Sequence, residues 1–548
     1  MKWSFLLVSL LFSLQIFAQQ VPHNWQHLSP ADGYPGISTS NLYQRLPKDI
    51  VPDTVIVAVI DSGVDYMHED LRNVMWINKG EIPGNNIDDD KNGYVDDIYG
   101  WNFLGNAKGE NVHYDNLEVA RLYAKYKKQF SGVEVSKLNK KEKETYESYQ
   151  EMKKVIEEGR EKFAQKYQIY GMLYEVLAKI KANKKDRESI TVKDLKNYSG
   201  DDLRTQRVAE VIAAQMEQGG ISFEDFDADV TKSFEYLRER YEYNFNPDYD
   251  SREIVEDNYE DKTERYYGNP DVKGPDAFHG THVAGIIAAE RNNGIGMDGV
   301  ASVVKIMAIR TVPGGDERDK DVANAIYYAV NNGASVINMS FGKGYSPYKE
   351  VVDAAVKYAA KKDVLLVHAS GNDGSEVNST NNYPTDKYLK KGLFGPKHAP
   401  NWIEVGASSW EGKEALAASF SNYSSEYVDV FAPGTAIFST APENEYKESQ
   451  GTSMAAPVVA GVAAVIRAYF PDLTAKQVKE IIEASTDKKL NTMVTKPGTT
   501  ERVPFRQLST TGGLVNLESA MEKAAQTKGK KRKAPKRTFT KLKPSPKA

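Results

Sequence analysis

Residues 55–65 read Val-Ile-Val-Ala-Val-Ile-Asp-Ser-Gly-Val-Asp, a run of six apolar residues that ends at an acid. A strand without a polar face must be covered on both sides, which is typical of parallel sheets. Similar apolar runs occupy residues 305–309, 336–339 and 364–367. They alternate with stretches of helical periodicity at residues 280–289, 321–332, 348–361 and 453–467. The pattern predicts an α/β fold with a mostly parallel central sheet and helices on both faces.

The composition is that of a large globular protein. The 548 residues weigh 61.2 kDa and are 40% hydrophobic and 27% charged, which argues against disorder and rod-like folds. The formal net charge of −5 gives no general bias towards nucleic acid or anionic membranes. The chain has no cysteine, which excludes disulfides, cysteine-ligated zinc, thiol catalysis and a lipid anchor on cysteine. Any nucleophile must therefore be another side chain.

Changes in composition divide the chain into five parts. An apolar run between Lys2 and Ala18, shorter than the roughly 20 residues that span a bilayer, predicts a secretory signal peptide at residues 1–18. An N-terminal extension follows at residues 19–53. The α/β domain takes residues 54–105 and 266–525, and a charged insertion with helical spacing interrupts it at residues 106–265. A solvated coil is the alternative for the insertion. The basic tail at residues 526–548 is predicted to be disordered.

Three short segments place chemically useful side chains at strand ends or helix starts. Asp61 follows the first buried strand, where open α/β sheets place their sites. His279 opens a predicted helix and suits a general base, whereas His282 is expected to be a packed support. Metal binding by the two histidines is disfavoured because no acid lies between them. Ser453 starts another helix, whose free N–H groups would face an oxyanion beside it. Read singly, Asp61 also fits a turn and Ser453 a helix cap.

Together these segments resemble the subtilisin-like serine proteases, the subtilase family. The residues that carry the resemblance are Asp61 in Ile-Asp-Ser-Gly-Val-Asp, His279 in His-Gly-Thr-His-Val-Ala-Gly and Ser453 in Gly-Thr-Ser-Met-Ala-Ala-Pro. The resemblance covers residues 54–103 and 278–520. It implies a subtilisin-like fold and a secreted serine endopeptidase that works through an acyl-enzyme. In that mechanism Ser453 attacks, His279 transfers the proton and Asp61 orients the imidazole.

The resemblance also assigns residues around the predicted nucleophile. Asn372, in Ala-Ser-Gly-Asn, matches the segment that donates a side-chain amide to the tetrahedral intermediate, the oxyanion hole. Ser340, Phe341 and Gly342 match the edge that pairs with substrate backbone and lines the primary specificity pocket. The implied partners are polypeptide substrates, and no cofactor is required for the chemistry.

One acidic loop has the spacing of a calcium site. Residues 88–97 read Asp-Asp-Asp-Lys-Asn-Gly-Tyr-Val-Asp-Asp, with carboxylates and an amide at alternate positions. The twelfth position, Glu in the helix-loop-helix calcium motif, is Tyr99. A structural calcium site and an Asx-rich turn without an ion both fit this pattern. The calcium ligands would be Asp88, Asp90, Asn92, the Tyr94 carbonyl and Asp96.

Two features depart from a compact member of the family. Asp61 and His279 are 218 positions apart, so the insertion must leave and return near one place if they are to meet. We expect the insertion to restrict access to the site or to recruit a partner. Residues 19–53 are too few for the usual independently folded propeptide.

Other functions stay open from the sequence alone. The main alternative is a catalytically silent protein of this fold that binds a partner through its insertion or tail. A peptide ligase or esterase using the same serine is another. In an exported protein the basic tail favours cell-surface association over specific nucleic-acid binding. No transmembrane segment is expected, because the apolar run at residues 458–466 is short and ends at Arg467. The predicted destination is secreted, periplasmic or cell-surface.

Overall fold

The apolar run that opens the α/β pattern forms a strand inside a nine-stranded sheet. The computed structural model describes residues 21–47, 50–183, 190–199, 202–390, 395–489 and 491–530. The predicted signal peptide and most of the predicted basic tail lie outside the described residues. The described strands are β1 (Val55–Asp61), β2 (Gly100–Asn102), β3 (Val304–Arg310), β4 (Val336–Met339), β5 (Leu365–Ala369), β6 (Trp402–Ser408), β7 (Val430–Pro433), β8 (Ile437–Ala441), β9 (Glu445–Ser449), β10 (Asp487–Lys488), β11 (Met493–Thr495), β12 (Arg502–Pro504) and β13 (Gly513–Leu514).

The large sheet has the order β10-β13-β7-β6-β5-β4-β1-β3-β2. Its neighbouring strands are parallel from β2 to β13, and β10 alone runs antiparallel to its neighbour. The predicted α/β class with a mostly parallel sheet is therefore confirmed. Two small antiparallel hairpins, β8–β9 and β11–β12, lie outside the sheet.

Helices occur on both faces of the sheet and in the insertion. They are α1 (Thr39–Arg45), α2 (Glu118–Phe130), α3 (Lys140–Asn183), α4 (Val192–Lys196), α5 (Leu203–Gly219), α6 (Phe223–Arg238), α7 (Arg252–Val255), α8 (Phe278–Ala288), α9 (Asp319–Asn331), α10 (Lys349–Lys361), α11 (Thr452–Tyr469), α12 (Ala475–Ala484) and α13 (Leu517–Ala525). A π-helical stretch, Glu239–Asn244, continues α6.

Alternate residues of β1 enter two different hydrophobic cores. Val57 and Val59 lie in the core that also contains α8, α11, α12 and α13. Ala58 and Ile60 lie in the core formed with α9 and α10. All four side chains are fully buried, and burying a valine or isoleucine side chain contributes about 1.5–3 kcal/mol. This two-sided burial is the reason why β1 has no polar face.

The helix α11 runs through the centre of the larger core. It packs so closely that a Cβ added at Gly461 would lie 2.6 Å from Cβ of Val300. Among the described residues it is the one helix long and apolar enough to cross a membrane, but 94% of it is buried inside the protein. The helix Thr452–Tyr469 is longer than the apolar run at residues 458–466, because the residues on both sides of that run also have helical backbone.

The N-terminal extension is part of the α/β domain. Trp25, Ile37 and Leu42 are fully buried in the same core as Val57. The indole N–H of Trp25 donates to the carbonyl oxygens of Thr435 and Ala436, at 3.1 and 3.2 Å. Residues 21–47 are therefore not a separate unit that could leave without exposing the core.

The insertion is helical, and the solvated coil considered from the sequence is not formed by its described residues. It contains α2 to α7, and α3, α5 and α6 share a core that includes Leu177, Ile212 and Val230. The chain leaves and returns at adjacent places, where Asn102 and Asn269 exchange two backbone hydrogen bonds of 3.0 Å. The boundaries at residues 106 and 265 stay a prediction.

The sequence pattern missed several elements. Helix α6 contains five acidic residues and few aliphatic ones, so its buried face can be recognised only from its contact with the partner helix α3. Strands β6 and β7 are fully buried, but Gly406 and Glu404 interrupt the apolar run of β6. The short strands β2, β10 and β13 are defined by their neighbours rather than by their own residues.

Candidate active site

Asp61 ends β1 at the carboxyl edge of the sheet, between β4 and β3. Its side chain is buried, with 1% of the residue exposed. Oδ1 accepts a hydrogen bond from the Ser62 N–H at 2.8 Å and lies 2.7 Å from Nδ1 of His279. The structure thus brings together two residues that are 218 positions apart in sequence.

His279 lies in the first turn of α8, which approaches the end of β1 at very short range. A Cβ added at Gly280 would lie 2.2 Å from the carbonyl oxygen of Gly63 and 3.1 Å from Cβ of Asp61. Only glycine permits this approach, and the approach places the imidazole against Asp61. The His279 side chain keeps 37% of its surface exposed, so it can meet a substrate.

Asp61 governs the protonation of His279. Enclosure by the protein acts to lower the pKa of His279, but the negative charge of Asp61 and its hydrogen bond outweigh this and raise the pKa above the usual 6.5. Donation from Nδ1–H to Asp61 leaves Nε2 as the nitrogen that can accept a proton. In the described part of the chain, no hydrogen bond joins Nε2 to another residue.

His282 differs from its neighbour because it is fully buried. Its Nε2 donates to the carbonyl oxygen of Lys447 at 3.0 Å. Burial lowers the pKa of His282 to about 4, so the ring is neutral at physiological pH. It supports the packing of α8 on the hairpin β8–β9.

Ser453 lies at the second position of α11 and is linked twice to the segment after β4. Its hydroxyl donates to the carbonyl oxygen of Ser340 at 3.1 Å, and the Ser340 hydroxyl donates to the Ser453 carbonyl oxygen at 2.9 Å. That carbonyl is free because Pro457, four residues on, has no N–H with which to form the helical bond. Among the described residues no hydrogen bond joins Ser453 to His279, so the hydroxyl is turned towards Ser340.

Asn372 lies in the turn after β5 and faces the start of α11. Its Oδ1 accepts hydrogen bonds from the N–H and the hydroxyl of Thr452, at 2.8 and 3.1 Å. A Cβ added at Gly451 would lie 3.5 Å from Nδ2 of Asn372. Because Thr452 holds the amide oxygen, the amide N–H₂ is the group left available, and it has no hydrogen-bond acceptor among the described residues.

Ser340, Phe341 and Gly342 follow β4 as an irregular edge over the sheet. The Ser340 hydroxyl also accepts from the side-chain amide of Asn338, at 2.9 Å. The Phe341 carbonyl oxygen lies 2.8 Å from Nε2 of the buried His368. Side chains of the strands β4 and β5 thus hydrogen-bond to this edge, and Ser453 contacts the same edge.

The insertion is anchored to the two segments that flank Asp61. Lys343, directly after the edge, is buried and donates to Glu118 of α2 at 2.8 Å. The N–H of Glu118 in turn donates to Asp316, in the segment after β3, at 2.8 Å. Asp115 adds a two-pronged ion pair with Arg318, at 2.8 and 3.1 Å. We call Asp115, Glu118 and their partners the insertion root.

The acidic loop is folded by hydrogen bonds to its own backbone. Asp88 accepts from the N–H groups of Asn92 and Gly93, at 3.0 and 2.8 Å. Asp96 accepts in the same way from the N–H groups at positions 84 and 86. The carboxylates that converge are instead Glu81, Asp90 and Asp97, whose oxygens lie within 4.8 Å of one another. Of the predicted carboxylate ligands, only Asp90 belongs to this cluster, and the side-chain amide of Asn92 donates to Asp90 and Asp97, at 3.2 and 3.1 Å.

Thr452, His368 and Glu118 were not identified from the sequence. Thr452 precedes the predicted nucleophile and could have been suspected from that position alone. His368 looks like one residue of a buried strand, and Glu118 looks like one acid among many in a charged insertion. Their contacts join segments that are far apart in the chain, so no local pattern marks them.

The chain is similar in sequence to proteins of a known family. The sequence profile of the subtilase family matches residues 53–507. The chain belongs to the subtilase family. The match spans the strand that ends at Asp61, the insertion, and the helices that carry His279 and Ser453, so the resemblance seen in the sequence is confirmed.

Curated relatives of this subtilase are named as proteases. The thermophilic serine proteinase of Bacillus sp. (strain AK1) is 39% identical over 211 residues, which are 38% of this chain and 47% of the relative. Subtilisin E of Bacillus subtilis (strain 168) is 40% identical over 211 residues, 38% of this chain and 50% of the relative. Subtilisin-like protease 1 of Plasmodium vivax is 32% identical over 289 residues, 51% of this chain and 42% of the relative. The subtilase spans about half the length of these relatives.

Among solved structures, proteases from Pseudoalteromonas arctica PAMC 21717 share 29% identity with this chain. The alignment covers 47% of this chain and 79% of the other, with a TM-score of 0.37.

Proposed function

We propose that this subtilase is a serine endopeptidase that hydrolyses polypeptides with Asp61, His279 and Ser453. The observation that carries the proposal is the 2.7 Å contact between Asp61 and the partly exposed His279, at the sheet edge where α11 presents Ser453. Family membership and the protease names of the relatives support the same chemistry.

In the proposed reaction, the Ser453 hydroxyl turns from the Ser340 carbonyl to Nε2 of His279 and attacks the scissile carbonyl carbon. His279 takes the hydroxyl proton and later gives it to the departing amine. Asp61 keeps the proton of the imidazole on Nδ1 and stabilises the charged ring. Water then attacks the acyl-enzyme, again with His279 as base, and releases the acyl group.

Asn372 is the proposed donor to the oxyanion, together with the Ser453 N–H. Thr452 holds the Asn372 oxygen, so the amide N–H₂ is oriented before substrate arrives, and a preoriented donor needs no reorganisation in the transition state. Loss of one such donor costs about 10²–10³ in kcat in a related subtilisin. We expect a loss of that size in Asn372→Ala, with little change in KM.

The direct test is reaction with a fluorophosphonate probe and cleavage of a mixed peptide library. The wild-type protein should be labelled and should cleave, and Ser453→Ala should do neither. Ser302→Ala is the matched control, because Ser302 is exposed just before β3, at the opposite edge of the sheet. A wild-type protein that is folded but neither labelled nor active would instead be the catalytically silent scaffold. Aminolysis without hydrolysis would identify a ligase, and esters cleaved without peptides an esterase.

We propose that the acidic loop binds a structural calcium ion through Asp90, with Glu81 and Asp97 as further ligands. Three carboxylates within 4.8 Å supply the hard oxygen donors that calcium prefers. Asp88 and Asp96 would shape the loop through their backbone contacts. The ion would take no part in the reaction.

Calcium binding is tested by thermal melting with calcium or with a chelator. Wild type should melt at a higher temperature in calcium, and Asp90→Asn should lose that difference. Asp248→Asn, an exposed acid of the insertion, should keep it. Equal melting temperatures and no heat in calorimetric titration would leave an Asx-rich turn without an ion.

We also propose that the protein is exported and acts at a secreted, periplasmic or cell-surface location. The apolar segment at residues 1–18 supports export, and the basic tail supports adherence to an anionic surface. N-terminal sequencing of the protein recovered from each cell fraction tests the first point. Fractionation after deletion of residues 531–548 tests the second.

A further inference from the structure

We use the word slot for the space beside Ser453 between the segments that follow the adjacent strands β4 and β5. One wall is Gly342, after the edge that Ser453 contacts. The other wall is Gly371, whose N–H donates to the Thr452 hydroxyl at 3.1 Å. Neither glycine contributes a side chain of its own to the space between them. A substrate side chain next to the attacked carbonyl would enter here.

The far end of this slot is closed by Asn382. A Cβ added at Gly342 would lie 2.6 Å from Oδ1 of Asn382. A Cβ added at Gly371 would lie 2.4 Å from Nδ2 of Asn422 and 3.6 Å from Oδ1 of Asn382, so Asn422 flanks this wall. Its neighbour Tyr383 is tied to Lys343 by two backbone hydrogen bonds, of 2.8 and 3.0 Å. Asn382 is therefore fixed to the wall that carries Gly342.

The orientation of the Asn382 amide follows from its partners. Nδ2 donates to the carbonyl oxygen of Ala369 at 3.3 Å and to Glu404 at 3.2 Å. Turning the amide over would place Oδ1 against these two acceptors, so Oδ1 must face the slot. The residue is 7% exposed, and Oδ1 accepts no hydrogen bond from the described residues. A nearly buried acceptor thus points into the slot without a donor.

Glu404 is itself held by two further buried groups. Nδ1 of His368 lies 2.9 Å from its carboxylate, and the indole N–H of Trp402 donates to it at 2.9 Å. Nε2 of His368 contacts the carbonyl oxygen of Phe341, on the first wall of the slot. These contacts fix Glu404, which accepts a hydrogen bond from Asn382. Asn382 therefore cannot shift easily to admit a larger group.

We infer that Asn382 selects the residue on the acyl side of the cleaved bond, and that it favours short side chains with a hydrogen-bond donor, such as Asn, Ser and Thr. This inference rests on the proposed function. A donor from the substrate would satisfy Oδ1, whereas an apolar group of equal size would bury the oxygen unpaired. A large aromatic side chain would collide with Asn382 before it reached full depth.

The experiment compares peptides that differ only at that residue. Asn and Leu have nearly the same shape, so they separate the hydrogen bond from size, and Phe reports on depth. For wild type, kcat/KM should be about tenfold or more higher for Asn than for Leu, the scale of one hydrogen bond to a buried acceptor. Asn382→Leu should abolish this ratio, and Asn382→Ala should raise cleavage after Phe.

Asn401 provides the matched control. It is also a buried asparagine, and its amide donates to a strand-flanking carbonyl oxygen, that of Val364, at 2.7 Å. It lies at the amino end of β5 and β6, away from the slot. Asn401→Ala should lower the melting temperature but leave the Asn-to-Leu ratio as in wild type. Equal cleavage after Asn and Leu by wild type, or an unchanged ratio in Asn382→Leu, would overturn the inference.

A binding measurement separates this inference from the catalytic proposal. Product peptides that end in Asn or Leu are titrated into Ser453→Ala, in which binding does not depend on turnover. Tighter binding of the Asn peptide, lost in the double variant with Asn382→Leu, supports the slot even if no hydrolysis occurs. Equal binding overturns it. Absence of hydrolysis together with selective binding would contradict only the proposed function.

Discussion

At the scale of single residues, the site depends on how buried carboxyl groups act on their neighbours. Asp61 stabilises the charged form of His279, and this raises the pKa of the imidazole although enclosure opposes it. Glu317 shows the opposite case, a carboxyl group that burial keeps from ionising easily. Both effects can be measured through their dependence on pH.

We predict that kcat/KM falls as pH decreases through a midpoint above 6.5. His279 must be neutral to act as base, and its raised pKa means that protonation begins at a higher pH than in a free histidine. Asp61→Asn should lower this midpoint and reduce kcat by about 10⁴-fold, as in other serine proteases. A pH–rate profile of both proteins checks this. A wild-type profile that is flat between about pH 5 and 8, where an imidazole titrates, would show that His279 is not the base.

We also predict that Glu317→Gln stabilises the protein near pH 8 but not near pH 4. Burial raises the pKa of Glu317 to about 8. The positive charge of Lys343 lowers this pKa, whereas the negative charges of Asp316 and Asp319 raise it further. Because the pKa of this carboxyl group is higher in the folded than in the unfolded protein, its ionisation disfavours the folded state. Stability is therefore lost as pH rises from 4.5, the pKa in the unfolded chain, to about 8. The gain in the free energy of unfolding should be about 1–3 kcal/mol at the upper end of that window.

Urea unfolding of both proteins at the two pH values measures this gain. Glu411→Gln, at an exposed loop position, is the control and should change little at either pH. A gain that is equal at both pH values would mean that ionisation of Glu317 is not its cause.

At the scale of elements, the approach of α8 to β1 decides whether Asp61 and His279 can meet. Gly280 leaves no room for a side chain between the helix and the Gly63 carbonyl oxygen. A similar dependence on one residue holds for α11, where Pro457 frees the Ser453 carbonyl for Ser340. The two helices have regular geometry, and these close contacts determine where His279 and Ser453 lie.

We predict that Gly280→Ala reduces kcat strongly while the protein still folds. The new methyl group would lie 2.2 Å from a backbone oxygen, so the first turn of α8 must move and take His279 away from Asp61. We expect a cost in stability of about 1–3 kcal/mol, the usual range for overpacking. Peptide hydrolysis and thermal melting measure the two effects.

Gly219→Ala, at the last residue of α5, is the control for this substitution. Its added Cβ would meet nothing closer than 3.8 Å, so neither activity nor melting temperature should fall. A Gly280→Ala protein with normal activity would show that α8 can shift without cost to the site.

At the scale of the whole molecule, the insertion shares the edge of the sheet with the candidate site. Its root contacts the segments after β3 and β4, which lie on either side of Asp61. The distal helices then rise from this edge and pack around a core of their own. This shared edge is the reason for predicting that the insertion limits which substrates reach Ser453.

We predict that replacing residues 166–235 by a short flexible linker speeds cleavage of folded proteins but not of short peptides. This replacement leaves the insertion root unchanged. The linker joins α3 to α6 at a place where the two helices are close, because the rings of Phe163 and Tyr236 lie 6.2 Å apart. Comparing rates on a folded protein and on a tetrapeptide measures the effect. Equal rates on both would contradict a role in access, and slower cleavage of the folded protein alone would indicate recruitment.

Much of this architecture could be predicted from the residues in order. Runs without a polar face specify strands buried on both sides, and helical periodicity between them specifies the covering helices. Asp61, His279 and Ser453 could be chosen as candidates because each stands in a short motif beside such an element. Local residue type determines these features, so they are visible without the fold.

Only the tertiary structure decided which distant groups meet. Lys343 with Glu118, Asn382 with the two glycine walls, and Glu81 with Asp90 and Asp97 each join separate parts of the chain. None of these residues has a distinctive local context, because an acid or amide in a polar stretch looks the same whether it is solvated or buried. Burial and proximity give such a side chain its role, and both arise only when the strands are ordered and the insertion closes on the sheet edge.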